Sequence, residues 1–229
     1  MTVTLITGAN KGIGFETARQ LLAQGHTVYI GARDPERGAK AAAELGGFFV
    51  QLDVTDDASV AAALETIGRA EGALDVLVNN AGVMANGTVD GPTALWSFDT
   101  NAVGIVRVTE AALPWLQRSS QPVVVNVTSS MGSFWAVTTP ERPESGLTTA
   151  PLYAASKAAA NMLTLQYAKA HPDIRFNAVE PGFTATDMTA EMDGGRPVEV
   201  SAGTIVRLAT QGAAGTAGTF SDEGGPLPW

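Results

Sequence analysis

Tyr153 and Lys157 stand four residues apart in Tyr153-Ala154-Ala155-Ser156-Lys157, within an alanine-rich stretch. On a helix that spacing puts both side chains on one face. An ammonium close to a phenol favours the phenolate, because an opposite charge lowers an acid's pKa. A free tyrosine titrates near ~10, so a downward shift of about 2–3 units would suit proton transfer near neutral pH. Upstream, Asn126-Val127-Thr128-Ser129-Ser130-Met131-Gly132 offers two adjacent hydroxyls after an apolar run. A serine hydroxyl beside the phenol would hold a substrate oxygen, which makes the set a proton relay for a carbonyl or an alcohol. Tyrosine and lysine at helical spacing are common, however, and taken alone they usually carry no chemistry.

A second group could bind rather than react. Thr7-Gly8-Ala9-Asn10-Lys11-Gly12-Ile13-Gly14 lies between an apolar run and an amphipathic stretch, which reads as strand, glycine turn, helix. Glycine lets the backbone approach a phosphate closely and accepts positive φ. The following helix points its free N–H groups and positive dipole end at the same place. The spacing is Gly-x3-Gly-x-Gly rather than the commoner Gly-x-Gly-x-x-Gly, and a tight connection without ligand would look the same. Arg33, in Ala32-Arg33-Asp34 after the second strand, suits a ribose 2′-phosphate, with Lys11 in support; the plainer reading is a solvated cation paired with Asp34. Asp53, in Leu52-Asp53-Val54, could accept from an adenine amino group or merely cap the next helix. Asn80-Ala81-Gly82 would let a ring or sugar lie against the backbone, and is equally an ordinary turn.

These positions need a scaffold that brings strand ends together. Short apolar runs alternate with helical patterns: strands are expected at Val3–Thr7, Thr27–Gly31, Phe48–Leu52, Leu74–Asn79, Val123–Thr128, Ile174–Val179 and Thr219-Phe220. Helices are expected at Ile13–Gln24, Pro35–Leu45, from a Thr55 or Asp56 cap to Ala70, from Pro92 to Arg118 with a kink at Pro114, and at Pro151–Ala170 and Val198–Ala209. Runs such as Val76-Leu77-Val78 and Val123-Val124-Val125 do not alternate with polar residues, so both faces are buried, as in a parallel sheet. Strict alternation of strand and helix gives a doubly wound α/β sheet with right-handed crossovers, in one domain over residues 1–229. Ligands in such folds sit at the carboxyl ends of the strands, where the residues above fall. The irregular parts are 133–150 and 184–197.

Composition narrows the function. The 229 residues are 45% apolar and 16% charged, enough for a sizeable core and not a disordered chain. No run of 18 apolar residues suggests a membrane span, and the chain enters a strand directly without the look of a signal peptide. The absence of cysteine removes disulfides and thiolate chemistry and fits a cytoplasmic location. Net charge is −9, from Lys+Arg 14 against Asp+Glu 23, with no basic stripe for nucleic acid. His26 and His171 have no supporting ligand spacing, so both are expected at the surface and no metal site is expected.

Together, Thr7-Gly8-x3-Gly12-x-Gly14, Asn80-Ala81-Gly82, Asn101, Ser129, Tyr153-x3-Lys157 and Pro181-Gly182 resemble, in order and rough spacing, the main single-domain branch of the short-chain dehydrogenase/reductase family. The resemblance implies a three-layer Rossmann fold. It implies that Tyr153 is general acid in reduction and base in oxidation. Lys157 would bind the nicotinamide ribose and lower the tyrosine pKa, and Ser129 would polarise the carbonyl, with Ser130 as the alternate. Asn101 would hold a helix backbone and a water linking Lys157 to solvent. Cofactor contacts would come from Gly8, Asn10, Lys11, Gly12, Ile13, Gly14, Arg33, Asp53, Val54, Asn80, Ala81 and Gly82. Pro181, Gly182, Phe183, Thr184 and Thr186 would join them at the nicotinamide end. Asn10-Lys11-Gly12-Ile13-Gly14, Gly31-Ala32-Arg33-Asp34, Arg37-Gly38 and the ending Gly224-Gly225-Pro226-Leu227-Pro228-Trp229 look like carbonyl reductases, which implies NADPH rather than NADH and a reductive direction.

Two departures stand out. The stretch from Ser129 to Tyr153 is longer than is usual in the family by roughly ten residues, the kind of insertion that tends to be functional. In carbonyl reductases a larger insertion there covers an oligomerising surface, so both a homodimer through the Pro92–Arg118 helix and a monomer remain open. The lid after Pro181-Gly182 is short, with room for one small helix, and Thr184 stands where valine or isoleucine is usual. An open pocket walled by Met84, Phe134, Trp135, Phe183 and Met188 would favour apolar carbonyl substrates, although Phe183 and Met188 would equally serve as core. The function expected is NADPH-dependent reduction of a ketone, aldehyde or quinone. The competing readings are a catalytically silent NADP-sensing protein and an NAD-dependent alcohol dehydrogenase.

Overall fold

The computed structural model describes residues 1–84, 88–212 and 214–229. Seven strands are parallel and lie in the order β3-β2-β1-β4-β5-β6-β7: β1 is Val3–Thr7, β2 Thr27–Ala32, β3 Phe48–Gln51, β4 Val76–Asn79, β5 Val123–Val127, β6 Arg175–Val179 and β7 Thr219–Asp222. An eighth strand, β8 (Gly225–Leu227), pairs antiparallel with β7 and closes that edge. It lies outside the sequence expectation, because Pro226 within so short a run reads as loop; proline is tolerated here because the strand is at the edge.

The side-chain alternation of the strands splits the core in two. Leu5, Leu77, Val124 and Phe176 stand in register on one face and pack against α3 (Asp57–Glu71) and α5 (Gly104–Leu116). Ile6, Ile30, Val78 and Val125 fill the other face against α1 (Gly12–Ala23), α2 (Pro35–Leu45) and α8 (Val198–Ala209). Burial on both faces is what the unbroken valine and leucine runs require. α7 (Pro151–Ala170) packs along β6 and is tied to the sheet by a buried polar ladder. In it, Asn79 Nδ2 donates to Asn126 Oδ1 at 2.9 Å, and Asn126 Nδ2 donates to Thr164 Oγ1 at 2.8 Å.

The long helix expected from Pro92 is interrupted. α4 (Gly91–Phe98) passes through a π turn, Asp99–Val103, before α5 begins, and Pro114 is accommodated inside α5. π turns of this kind are common at functional sites, and this one carries Asn101. Asp56 caps α3 by accepting from Ser59 N, so Asp53 is not the helix cap. His26, expected at the surface, is half-buried with Nδ1 2.8 Å from Thr4 Oγ1, and desolvation lowers its pKa. A short helix, α6 (Phe134–Thr138), occupies the start of the inserted segment. Among the described residues no helix is long and apolar enough to cross a membrane.

Candidate active site

The sheet order reverses between β1 and β4, and the crevice at such a switch point is where ligands bind in open α/β sheets. A cleft of about 650 Å³ opens there along the carboxyl ends of the strands. The glycine turn after β1 forms one wall. Gly8 and Gly12 adopt left-handed backbone, φ 65° and 57°, which a side chain would strain. Gly14 needs its missing side chain for another reason: a Cβ there would lie 2.4 Å from Asn80 Nδ2 and 2.8 Å from Gly8 O. Asn80 braces the turn, donating from Nδ2 to the carbonyls of Thr7 at 2.9 Å and Gly8 at 3.2 Å. Thr7 Oγ1 accepts from the N–H groups of Asn80 and Ala81, each at 3.0 Å. Aspartate side chains cap α2, α3 and α4, whereas no side chain caps α1. Gly12, Ile13 and Gly14, which open α1, line the cleft, so this uncapped helix start is a place suited to a pyrophosphate. These features fit a dinucleotide.

Asn10, Lys11, Ile13, Arg33, Asp53, Val54, Ala81, Gly82, Pro181 and Thr186 also line the cleft, as the sequence suggests. Asp34 accepts from Arg37 N as the α2 cap and pairs with the Arg37 guanidinium at 3.7 Å. Among the described residues no ion pair involves the Arg33 side chain, which sets aside its pairing with Asp34. Lys11 is engaged: its Nζ lies 2.8 Å from Asp187 Oδ2 in the lid, and that cation holds the Asp187 carboxyl below its ordinary range. Asp53 accepts from Thr55 N at 3.0 Å and Thr55 Oγ1 at 2.7 Å, both through Oδ1.

The far end of the cleft carries the reactive set. Tyr153 and Lys157 line it from the first turns of α7. Lys157 is 4% exposed, and its Nζ donates to Val127 O at 2.9 Å and lies 5.6 Å from the Tyr153 ring centroid. Burial pushes the Lys157 ammonium down to about 8, against the carboxylate of Glu180, which acts upward. Tyr153 departs from expectation. Burial pushes its phenol well above the ordinary value, Glu180 acts in the same direction, and only the hydrogen bond with Ser129 opposes them. Lys157, itself pushed down to about 8, is already neutral at the pH where so high a phenol would ionise, so it does not lower the phenol. The phenol is thus held protonated.

The choice between the serines follows from what each touches. Ser129 acts on the Tyr153 phenol. Ser130 instead faces two carboxylates, its N–H donating to Glu180 Oε2 and its hydroxyl bonding Glu180 and Glu144. Asn101 is 1% exposed and does not line the cleft. Its Oδ1 accepts from Val83 N at 2.8 Å, and its Nδ2 donates to Val83 O at 2.8 Å and Ser156 Oγ at 2.9 Å. Ser156 Oγ in turn donates to Tyr153 O at 2.7 Å. Asn101 therefore locks the loop following β4 to the backbone that carries Tyr153, where the resemblance implied a helix backbone and a water.

The substrate end needs correction. Met84 and Met188 line the cleft, but Phe134, Trp135 and Phe183 do not. α6 turns Phe134 outward, 75% exposed, and places Trp135 beneath the Arg142 guanidinium at 5.3 Å. Trp96, Asp99 and Thr100, from α4 and the π turn, supply that wall instead. Nothing in the sequence marks them: Asp99 and Thr100 sit in the π turn and Trp96 in the last turn of α4 before it. In the lid, Gly182, Phe183 and Thr184 fall outside the cleft lining. Thr184 is 3% exposed and bonds Gly182 O at 2.7 Å and Ser201 Oγ at 2.6 Å, so it anchors the lid. The lid holds a single turn, Asp187–Thr189. Glu180, absent from the sequence expectations, lies outside the cleft lining and acts on both Tyr153 and Lys157. An acid closing the apolar run Ala178-Val179 was the signal available.

Residues 2–196 match the family model described as short chain dehydrogenase. The chain is 37% identical to the short-chain dehydrogenase/reductase ATR10 of Stachybotrys chlorohalonatus, across 99% of this chain and 94% of that protein. Salutaridine reductase from Papaver somniferum has a similar structure, with TM-score 0.85, 28% identity, and coverage of 96% of this chain and 99% of that one. An actinorhodin polyketide ketoreductase crystallised with NADPH also matches, with TM-score 0.85, 25% identity, and coverage of 97% of this chain and 95% of that one.

Proposed function

The chain belongs to the short-chain dehydrogenase/reductase family, and we propose that within it the protein is an NADPH-dependent carbonyl reductase with Tyr153 as proton donor. The observation that carries this reading is the placement of Tyr153 and Lys157 in the cleft that the glycine turn opens, with Ser129, outside the cleft lining, bonded to the phenol. A protonated phenol is the form that reduction consumes, whereas oxidation would need it ionised.

NADPH, when bound, supplies the hydride to the carbonyl carbon. Ser129 Oγ and Tyr153 Oη hold the substrate oxygen, and Tyr153 gives its proton to that oxygen as negative charge develops there. The phenolate left behind is stabilised by the Lys157 cation on the same helix face. The tie from Asn101 through Ser156 fixes the Tyr153 backbone, and with it the direction of the phenol. Arg33, which has no ion pair among the described residues, and Lys11, on leaving Asp187, would receive the 2′-phosphate of NADPH. NADPH stands in the solved structure of the actinorhodin polyketide ketoreductase, which supports the same choice. The apolar wall of Met84, Trp96 and Met188 favours ketones, aldehydes or quinones of low polarity.

The test is NADPH and NADH oxidation with a panel of apolar ketones, aldehydes and quinones. Turnover with NADPH well above that with NADH is expected. Binding of NADPH without turnover on any carbonyl would favour a nucleotide-sensing protein, and faster alcohol oxidation with NAD would favour an alcohol dehydrogenase.

A further inference from the structure

Glu180 follows β6 directly and is only partly exposed. Both of its carboxylate oxygens are taken by backbone donors from different segments. Ser130 N–H donates to Oε2, and Gly182 N–H donates to Oε1 at 2.8 Å. Ser130 is the neighbour of Ser129, which acts on the phenol. Gly182 belongs to the turn whose Pro181 lines the cleft. One side chain thus joins the loop carrying the serine to the turn that follows β6. Two converging N–H donors require two acceptors, which a carboxylate has. A glutamine offers one oxygen and would turn an NH2 group against the second donor.

The charged groups around Glu180 come from each packed segment. α7 contributes Tyr153 and Lys157, both of which the Glu180 charge pushes upward. The inserted segment contributes Glu144, whose like charge opposes ionisation of Glu180, and Arg142, which binds Glu144 bidentately at 3.0 and 2.8 Å. The lid contributes Arg196, which donates to Pro181 O and pairs with Glu223 at 2.8 Å.

We propose that Glu180 is a positioning residue: its ionised carboxylate, anchored by the Gly182 N–H, holds the loop that carries Ser129 against Tyr153 through the Ser130 N–H. The inference rests on Tyr153 being the proton donor. It also gives the inserted segment a role, since Glu144 and Arg142 pack that charge from behind.

The test follows kcat against pH for wild type, Glu180→Gln and Glu180→Asp. In Glu180→Gln, kcat falls about tenfold while KM for NADPH changes by less than about twofold, as for an interaction made in the transition state. Its alkaline limb, set by Lys157 at about 8, also moves down, because that ammonium has lost a nearby negative charge. Glu180→Asp keeps the charge but not the reach, so it loses rate with the limb in place. A purely structural role would lower kcat without moving the limb, and an unmoved limb in Glu180→Gln overturns the proposal. Wild-type protein gives a second reading that no folding defect can obscure. The amide resonances of Ser130 and Gly182 should titrate together, with a midpoint above the ordinary carboxylate value of 4.5, because burial raises Glu180. Amides that stay still, or that titrate separately, overturn the clamp. Tyr153→Phe is measured alongside. Full activity there defeats the assignment of Tyr153, while the amide titration still decides the clamp. An inactive Tyr153→Phe with an unmoved Glu180→Gln limb defeats the role of Glu180 alone.

Discussion

Replacing Lys157 by methionine should make the cofactor-free protein more stable near pH 7, with a gain that disappears as the pH rises. The Lys157 ammonium falls from its ordinary 10.5 to about 8 on folding, with desolvation as the largest cause. At ~1.4 kcal/mol per unit, holding the charge inside the fold costs about 3 kcal/mol. The side chain is 4% exposed, so solvent screens little of this. Methionine matches the length without the charge, but the 2.9 Å bond to Val127 O is lost, at about 1 kcal/mol. The net gain is about 2 kcal/mol, or a Tm rise of about 4–8 °C for a chain of this size. The pH dependence follows from the depressed folded pKa. Below about 8 the lysine is charged in both states and the wild type bears the full cost. Between about 8 and 10.5 it is neutral when folded and charged when unfolded, so wild-type stability rises with pH and the gap closes. Denaturant unfolding of both proteins near pH 7 and near pH ~10 reads that gap, and groups titrating alike in the two proteins cancel. A variant less stable than wild type near pH 7, or a gap independent of pH, would refute the burial argument. The same variant should reduce no carbonyl, which places the cost of the buried charge on the side of function.

Three further outcomes are expected. Gly14→Ala puts a methyl group 2.8 Å from Gly8 O and displaces Asn80 from the carbonyls of Thr7 and Gly8. It should cost about 2–4 kcal/mol in chemical unfolding and weaken NADPH binding measured by fluorescence. Asn101→Ala removes three buried hydrogen bonds, to Val83 N, Val83 O and Ser156 Oγ. A loss of about 2–4 kcal/mol is expected, with kcat falling more than KM for NADPH, since the damage falls on the backbone carrying Tyr153. Arg33→Ala should raise KM for NADPH by about tenfold or more, a charge-assisted bond's worth, and leave KM for NADH unchanged. An unchanged cofactor preference would remove Arg33 from the 2′-phosphate site.

The sheet was legible because its strands are apolar on both faces and its helices are bounded by strong signals, such as Pro35 after Asp34 and the left-handed Gly46 and Gly72. The glycine turn and the Tyr153/Lys157 spacing were legible for the same reason: both are local. What escaped depends on packing between distant segments. The π turn at Asp99–Val103 has no local signature, yet its Asp99 and Thr100, with Trp96 of α4, line the cleft in place of the aromatics of the inserted segment. Phe134 and Trp135 read as pocket walls from hydrophobicity alone, while α6 points one to solvent and sets the other under Arg142. The direction of the Tyr153 shift escaped because spacing shows the Lys157 charge but neither its desolvation nor Glu180 behind it. Ser129 and Ser130 cannot be told apart as neighbours in sequence, and only their different partners separate them.

The central claim is that Tyr153 delivers the proton in carbonyl reduction. Its most direct test is the steady-state rate of NADPH oxidation by Tyr153→Phe against wild type, on a carbonyl the wild type reduces, with NADPH affinity measured in parallel. Removing one hydroxyl from a residue that only packs would leave the rate intact. The account predicts a fall in kcat of about 10²–10⁴-fold with NADPH affinity unchanged. A variant that reduces the carbonyl as fast as wild type would contradict it.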